Sequence, residues 1–250
     1  MISLKDKNIL ITGGSRGLGA ATSHAFAKEG ANILVNYIND EASAANVAAD
    51  ISDKYGVRVD IVQGDVGVEE NCVRIVNKCI ALFGGVDVIV SNAGWTKISD
   101  FGDLNALSED EWDKCWAVNV KANLYLFRAA SKSFNANPDG GSFLISSSIS
   151  ALAPCGSAMG YSVSKAAGLH LMRCLAQTQG PKIRVNAVLP GLMLTDWGNK
   201  FGAERIKETK EMAPLKDCTT VEECADAFVL MAKSSTMTGA SLKMDAGYIP

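Results

Sequence analysis

The chain has 250 residues, 48% of them hydrophobic and 20% charged, with 24 Lys and Arg against 27 Asp and Glu and a net charge of −3. That balance supplies a large core and argues against a disordered chain; without any basic run it also argues against a nucleic-acid partner. No apolar stretch reaches the roughly 18–20 residues of a membrane span, and the N-terminus lacks the long apolar segment of a signal peptide, so a soluble, cytoplasmic protein is expected.

In chain order, residues 7–12 form a β-branched run that ends in a glycine-rich turn, and residues 17–29 read as a helix stopped by Gly30. Strands are expected at 32–36, 58–63 and 86–91, separated by helices at 41–54 and 69–83. A long helix follows over 108–134, opened by a capping box of Ser108 and Glu111. Then come a strand at 142–146, a helix at 161–179, a strand at 183–189, a helix at 222–233 and a last strand at 240–244. Apolar strands alternating with helices indicate a Rossmann-like, doubly wound parallel sheet of about seven strands, an α/β fold in one domain over 1–250. Two stretches, 94–107 and 191–219, break the rhythm on the carboxyl side of the sheet, where such folds bind ligands; the second reads as a substrate loop. The seven cysteines (72, 79, 115, 155, 174, 218 and 224) include no CxxC pair and read as small buried hydrophobes. The two histidines, His24 and His170, are far apart, so no metal site is expected.

The first turn reads Thr12-Gly13-Gly14-Ser15-Arg16-Gly17-Leu18-Gly19. Glycines there let backbone N–H groups approach a pyrophosphate, with the positive end of the following helix behind them. An NAD enzyme would carry an acid at the end of the second strand for the ribose hydroxyls, but here that strand ends Val35-Asn36-Tyr37-Ile38. Asp40 and Glu41 come late and cap the next helix, whereas Arg16 can hold a 2′-phosphate. NADPH is therefore expected over NAD.

The spacing Gly13, Gly17, Gly19 resembles the short-chain dehydrogenase/reductase family, and further motifs follow in that family's order across almost the whole chain. They are Asn92-Ala93-Gly94; Asn119 in a Val-Asn-Val context; Ser148, 13 residues before Tyr161; Tyr161-x-x-x-Lys165; Pro190-Gly191 followed by Thr195; and Asp245-Ala246-Gly247 in place of Asp-Gly-Gly. The resemblance implies a catalytic set of Asn119, Ser148, Tyr161 and Lys165, with Ser147 as the alternative serine. It implies cofactor contacts from the glycine loop (Gly13, Ser15, Arg16, Gly17, Leu18, Gly19), from Asn36, Tyr37, Asp65 and Val66, and from Asn92, Ala93 and Gly94. Tyr161, Lys165, Pro190, Gly191 and Thr195 complete the cofactor set. It further implies that Lys165 binds the nicotinamide ribose, that Asn119 holds a water, and that the chain assembles as a homotetramer or homodimer.

Tyr161 and Lys165, four residues apart on a helix, share one face. A nearby ammonium and the positive charge of the oxidised nicotinamide are both expected to lower the phenol's pKa, making Tyr161 a proton donor to a carbonyl or an acceptor from an alcohol, while Ser148 steadies the same oxygen. Substrate-side candidates are Trp95, Ser150, Met193 and Trp197, each with packing as the alternative role. Trp112 and Trp116 read as core or subunit contacts. The expected activity is reduction of a ketone or aldehyde by NADPH. The alternatives are an NAD(P)-dependent alcohol dehydrogenase working oxidatively, and a nucleotide-binding scaffold without turnover, which the presence of both Tyr161 and Lys165 disfavours.

Overall fold

The structure, a computed structural model, describes residues 1–248. Seven strands, β1 (Asn8–Ile11), β2 (Asn32–Tyr37), β3 (Val59–Gln63), β4 (Val88–Ser91), β5 (Gly141–Ser146), β6 (Ile183–Pro190) and β7 (Ser241–Met244), form one sheet in the order β3-β2-β1-β4-β5-β6-β7. All six pairings are parallel. The helices are α1 (Gly17–Lys28), α2 (Glu41–Tyr55), α3 (Glu69–Phe83), α4 (Glu109–Trp116), α5 (Ala122–Ala136), α6 (Met159–Thr178), α7 (Ala203–Met212) and α8 (Val221–Lys233).

Side chains that alternate along each central strand enter two separate cores. Phe143 and Ile145 of β5 pack with Leu126, Phe127 and Phe134 of α5 on one face. Leu144, between them, packs with Phe228 of α8 and Phe26 of α1 on the other. This is why these strands read as continuous apolar runs: a parallel sheet covered on both faces has no wet side. Phe143 meets Phe127 edge to face at 5.4 Å, and at Gly141 a Cβ would run into the Phe134 ring. Helix ends follow local chemistry. Asp40 caps α2 by accepting from the Ser43 N–H at 2.9 Å, Gly56 and Gly84 close α2 and α3 in the left-handed conformation, and the Ser108–Glu111 capping box opens α4.

Two expectations change. The helix expected over 108–134 is two helices joined by a π-helical turn, Ala117–Lys121, with Asn119 at its centre. Hydrophobic periodicity does not register a single widened turn, because the apolar face resumes after it. The stretch 191–219 is not all loop: it holds a 3-10 turn, Gly198–Phe201, and α7, ten residues with no buried side chain. A helix lacking a buried stripe leaves no amphipathic signal to read.

Candidate active site

The order of strands reverses between β1 and β4, and ligands of open α/β sheets bind beyond the carboxyl ends of the strands at such a switch point. The glycine loop occupies that position. Gly13 and Gly17 adopt φ of 60° and 52°, and a Cβ at Gly19 would collide with the Gly13 carbonyl and lie 2.7 Å from Asn92 Nδ2. The side chain of Arg16 at the head of α1 makes no capping bond, and the first turn of α1 has no acid. The opening N–H groups of α1 are thus left for a ligand anion, so a dinucleotide pyrophosphate fits.

Thr12, which the motif reading left out of the site, ties the loop to the neighbouring strand. Its hydroxyl accepts from the N–H groups of Asn92 (2.9 Å) and Ala93 (3.0 Å), and Asn92 Nδ2 donates back to the Thr12 carbonyl at 3.0 Å. Asn36 is only 2% exposed. Its Oδ1 accepts from Gly13 N–H at 3.3 Å, and its Nδ2 donates to the Val62 and Gly64 carbonyls at 3.2 and 3.0 Å. The side chain is therefore a brace behind the loop rather than an open hydrogen-bonding arm. Tyr37 and Val66 are buried, and Asp65 accepts from Gly67 N–H at 2.8 Å, closing the turn after β3. Arg16 is exposed beside the loop, and its charge helps hold the Asp40 carboxyl below its ordinary pKa, after the larger effect of the Ser43 hydrogen bonds. Thr195 lies against the loop from the opposite side, its methyl 3.5 Å from where a Gly17 Cβ would stand.

The chemical end is a cleft of about 390 Å³. Ser148, Tyr161 and Lys165 line it together, next to Gly94 and Pro190. Lys165 is buried, its Nζ 5.5 Å from the centre of the Tyr161 ring, and it donates to the Ser146 carbonyl at 2.8 Å. Ser148 is extended at the start of a 3-10 turn, Ile149–Ala151; its hydroxyl donates to Ser150 Oγ at 3.1 Å and accepts from Ser150 N–H at 3.1 Å. Ser147 also borders the cleft, but its hydroxyl is buried without a partner.

The expected lowering of the phenol pKa is not what the folded chain alone produces. Burial pushes Tyr161 up to about 12, with the nearby Ser148 hydroxyl acting in the opposite direction. Burial also lowers Lys165 to about 8. Desolvation penalises each charged form, and it outweighs the attraction that a helical spacing alone suggests.

Asn119 is placed by the π turn so that its amide bridges three elements. Oδ1 accepts from Trp95 N–H at 3.0 Å, and Nδ2 donates to the Trp95 carbonyl and to Ser164 Oγ, each at 2.9 Å. Ser164 in turn donates to the Tyr161 carbonyl at 2.8 Å. Asn119 thus positions the turn after β4 and the helix that carries Tyr161. Asn123 donates to the Asn119 carbonyl at 2.8 Å, answering an acceptor inside the widened turn. Neither Ser164 nor Asn123 stood out in the sequence, since a buried polar residue in mid-helix looks like a solvated one.

Ser150, Met193 and Trp197 line the cleft as expected. Trp95 does not. Asn119 fixes its backbone, and its ring packs outside the cleft against Leu107, Cys115 and Ala158, with Lys114 Nζ 5.7 Å from its centre. Its neighbour Thr96 faces the cleft instead. From 191–219 the cleft also receives Phe201, Arg205 and Met212, which the motifs did not mark. Cys72, Cys79, Cys115 and Cys224 are buried, whereas Cys155 is half-buried on the cleft wall and Cys174 is exposed. Among the described residues, no group of three or more His, Cys, Asp or Glu stands where it could hold a metal ion, and no helix is long and apolar enough to cross a membrane.

A parallel sheet with a glycine loop at its switch point and a tyrosine, lysine and serine in the adjoining cleft defines a dinucleotide-dependent oxidoreductase. A family model described as enoyl-(acyl carrier protein) reductase matches residues 13–249. The L-rhamnose 1-dehydrogenase (NADP(+)) of Thermoplasma acidophilum is 33% identical, over 100% of this chain and 98% of its own length. Among solved structures, a short-chain dehydrogenase from Burkholderia cenocepacia in complex with NADP superposes with a TM-score of 0.89 at 30% identity, over 98% of this chain and 99% of that one. The L-sorbose reductase of Gluconobacter frateurii, complexed with NADPH and L-sorbose, gives 0.88 at 29% identity, with 98% of each chain covered. The chain belongs to the short-chain dehydrogenase/reductase family and is an oxidoreductase of it.

Proposed function

We propose that this enzyme uses NADPH to reduce a ketone or aldehyde to an alcohol. The observation that carries the reading is a buried phenol and a serine hydroxyl at one wall of a ligand-sized cleft, next to a glycine loop built for a dinucleotide. Bound NADPH supplies a hydride to the carbonyl carbon. Ser148 donates a hydrogen bond to the carbonyl oxygen, and Tyr161 passes that oxygen its proton as negative charge develops there. Lys165 holds the ribose of the nicotinamide and keeps a positive charge close to the phenol while the proton leaves. Asn119 keeps these groups in register from behind. The choice of NADPH is supported by the absence of an acid at the end of β2, by Asp40 being occupied as a helix cap, and by Arg16 at the loop. The NADP and NADPH complexes of similar proteins support it too.

The oxidative direction is the second reading, favoured by relatives named as sugar dehydrogenases. Following nicotinamide absorbance separates the two. Carbonyl compounds with NADPH are expected to turn over faster than alcohols or sugars with NADP+, and NADH is expected to work poorly. Equal rates with NADH and NADPH would remove the role given to Arg16. We also propose a homo-oligomer in the cytoplasm, assembled through the face that presents Trp116 and Val163.

A further inference from the structure

The outer wall of the cleft is α7, which carries three cations. Lys207 pairs with Glu211 at 3.8 Å and Lys210 with Asp217 at 2.8 Å. Arg205, alone of the three, has no carboxylate oxygen within 4.0 Å among the described residues. Its guanidinium carbon sits 4.7 Å from the centre of the Phe201 ring, which meets Trp197 edge to face at 5.2 Å. Its Nη2 donates to the Gly156 carbonyl at 2.8 Å, the one hydrogen bond the guanidinium makes among the described residues. Gly156 stands against the chemistry: a Cβ there would lie 2.5 Å from Ser150 Oγ and 3.7 Å from Tyr161 Cδ1. A guanidinium on the cleft wall is thus held by an aromatic face and a carbonyl, with most of its five N–H donors unspent.

Its charge acts inside the cleft. Burial raises the pKa of the Cys155 thiol and the Tyr248 phenol, two groups on the cleft wall, and Arg205 pulls both in the opposite direction. Lys165, the other cation of the cleft, is committed to Ser146 and to Tyr161. Glu208 borders the cleft three residues further along α7 yet makes no ion pair with Arg205. A pre-set, unpaired fork of donors is suited to bidentate recognition of an anion, and ordering it before the ligand arrives lowers the cost of binding.

We propose that Arg205 is the specificity-determining anion anchor of this enzyme, and that its substrate is a carbonyl compound bearing a carboxylate or a phosphate. The proposal rests on the carbonyl-reductase reading. Its test compares matched pairs with NADPH: acetoacetate against methyl acetoacetate, and dihydroxyacetone phosphate against dihydroxyacetone. The wild type is expected to favour the charged member of at least one pair by about 10- to 100-fold in kcat/KM. Which pair shows the preference tells carboxylate from phosphate. In Arg205→Met the preference should collapse to within about threefold, while Arg205→Lys retains part of it. No preference in the wild type, or a preference that survives in Arg205→Met, overturns the proposal. So does an equal fall for both members of a pair, which is what loss of the Gly156 contact alone would give. If none of the four compounds turns over, the reductase reading has failed, and calorimetric titration of acetoacetate and of inorganic phosphate into the NADPH-saturated protein decides separately. Heat lost in Arg205→Met upholds the anchor, and no heat in the wild type refutes it.

Discussion

At the scale of single residues, the site pairs two groups whose charged forms the protein disfavours. Burial pushes Tyr161 up to about 12 in the folded chain, so easing its proton transfer falls to the charges of Lys165 and the bound cofactor. Changing Tyr161→Phe removes only that hydroxyl from a ring packed against Leu107 and Ala158. Carbonyl reduction should fall by about 10²–10⁴-fold, with NADPH affinity measured by calorimetry staying near the wild-type value. Undiminished turnover would exclude Tyr161 as the proton donor. Lys165 makes a thermodynamic prediction that needs no substrate. Its folded pKa of about 8 lies below the ordinary 10.5, so between those values the unfolded chain binds more protons than the folded one. Stability contributed by this site therefore rises with pH from about 8 to 10.5, because the cost of burying the ammonium disappears as it deprotonates. Lys165→Met cannot titrate. The stability difference between wild type and variant, from denaturant melts of the cofactor-free protein, should shift towards the wild type by on the order of 3 kcal/mol between pH 7 and pH 10.5. Parallel curves would mean that Lys165 is not desolvated.

At the scale of elements, the glycine loop is held from three sides. Thr12 and Asn92 fasten it to β4, Asn36 braces it from β2, and the start of α1 closes over Gly13. Gly19 allows that last approach, since any Cβ there meets the Gly13 carbonyl. Overpacking of this kind costs about 1–3 kcal/mol. Gly19→Ala should therefore raise the NADPH Kd by about tenfold or more while far-UV circular dichroism stays unchanged. A variant that binds NADPH as tightly as the wild type would show that the loop tolerates displacement. The π turn does comparable work at the other end. It points Asn119 inward between the turn after β4 and α6, where an uninterrupted helix would continue its regular face.

At the scale of the whole molecule, the sheet gathers residues from the first turn to Tyr248 around one crevice. Among the apolar side chains exposed outside that crevice are Trp116, at 42% on α4, and Val163, at 47% on α6. These side chains belong to the face through which we propose that the chain self-associates. Light scattering after size exclusion should give a mass above that of one chain, and Val163→Arg should lower it. A monomer in the wild type would leave these side chains without a partner.

The sequence alone was enough for the order of strands and helices, α7 and the π turn excepted, because continuous apolar runs and helical apolar patterns report burial directly. It also marked Ser148, Tyr161 and Lys165, which the fold brings to one cleft beside the glycine loop, because their residue types stand at motif spacings. Local reading left Trp95 open between the cleft and packing, missed Phe201 on a 3-10 turn and Arg205 on a helix without an apolar stripe, and did not weigh the desolvation of Tyr161. These points were decided by tertiary structure alone. Which way a side chain turns, whether a cation finds a carboxylate, and whether desolvation outweighs attraction all depend on what distant segments bring within a few ångströms.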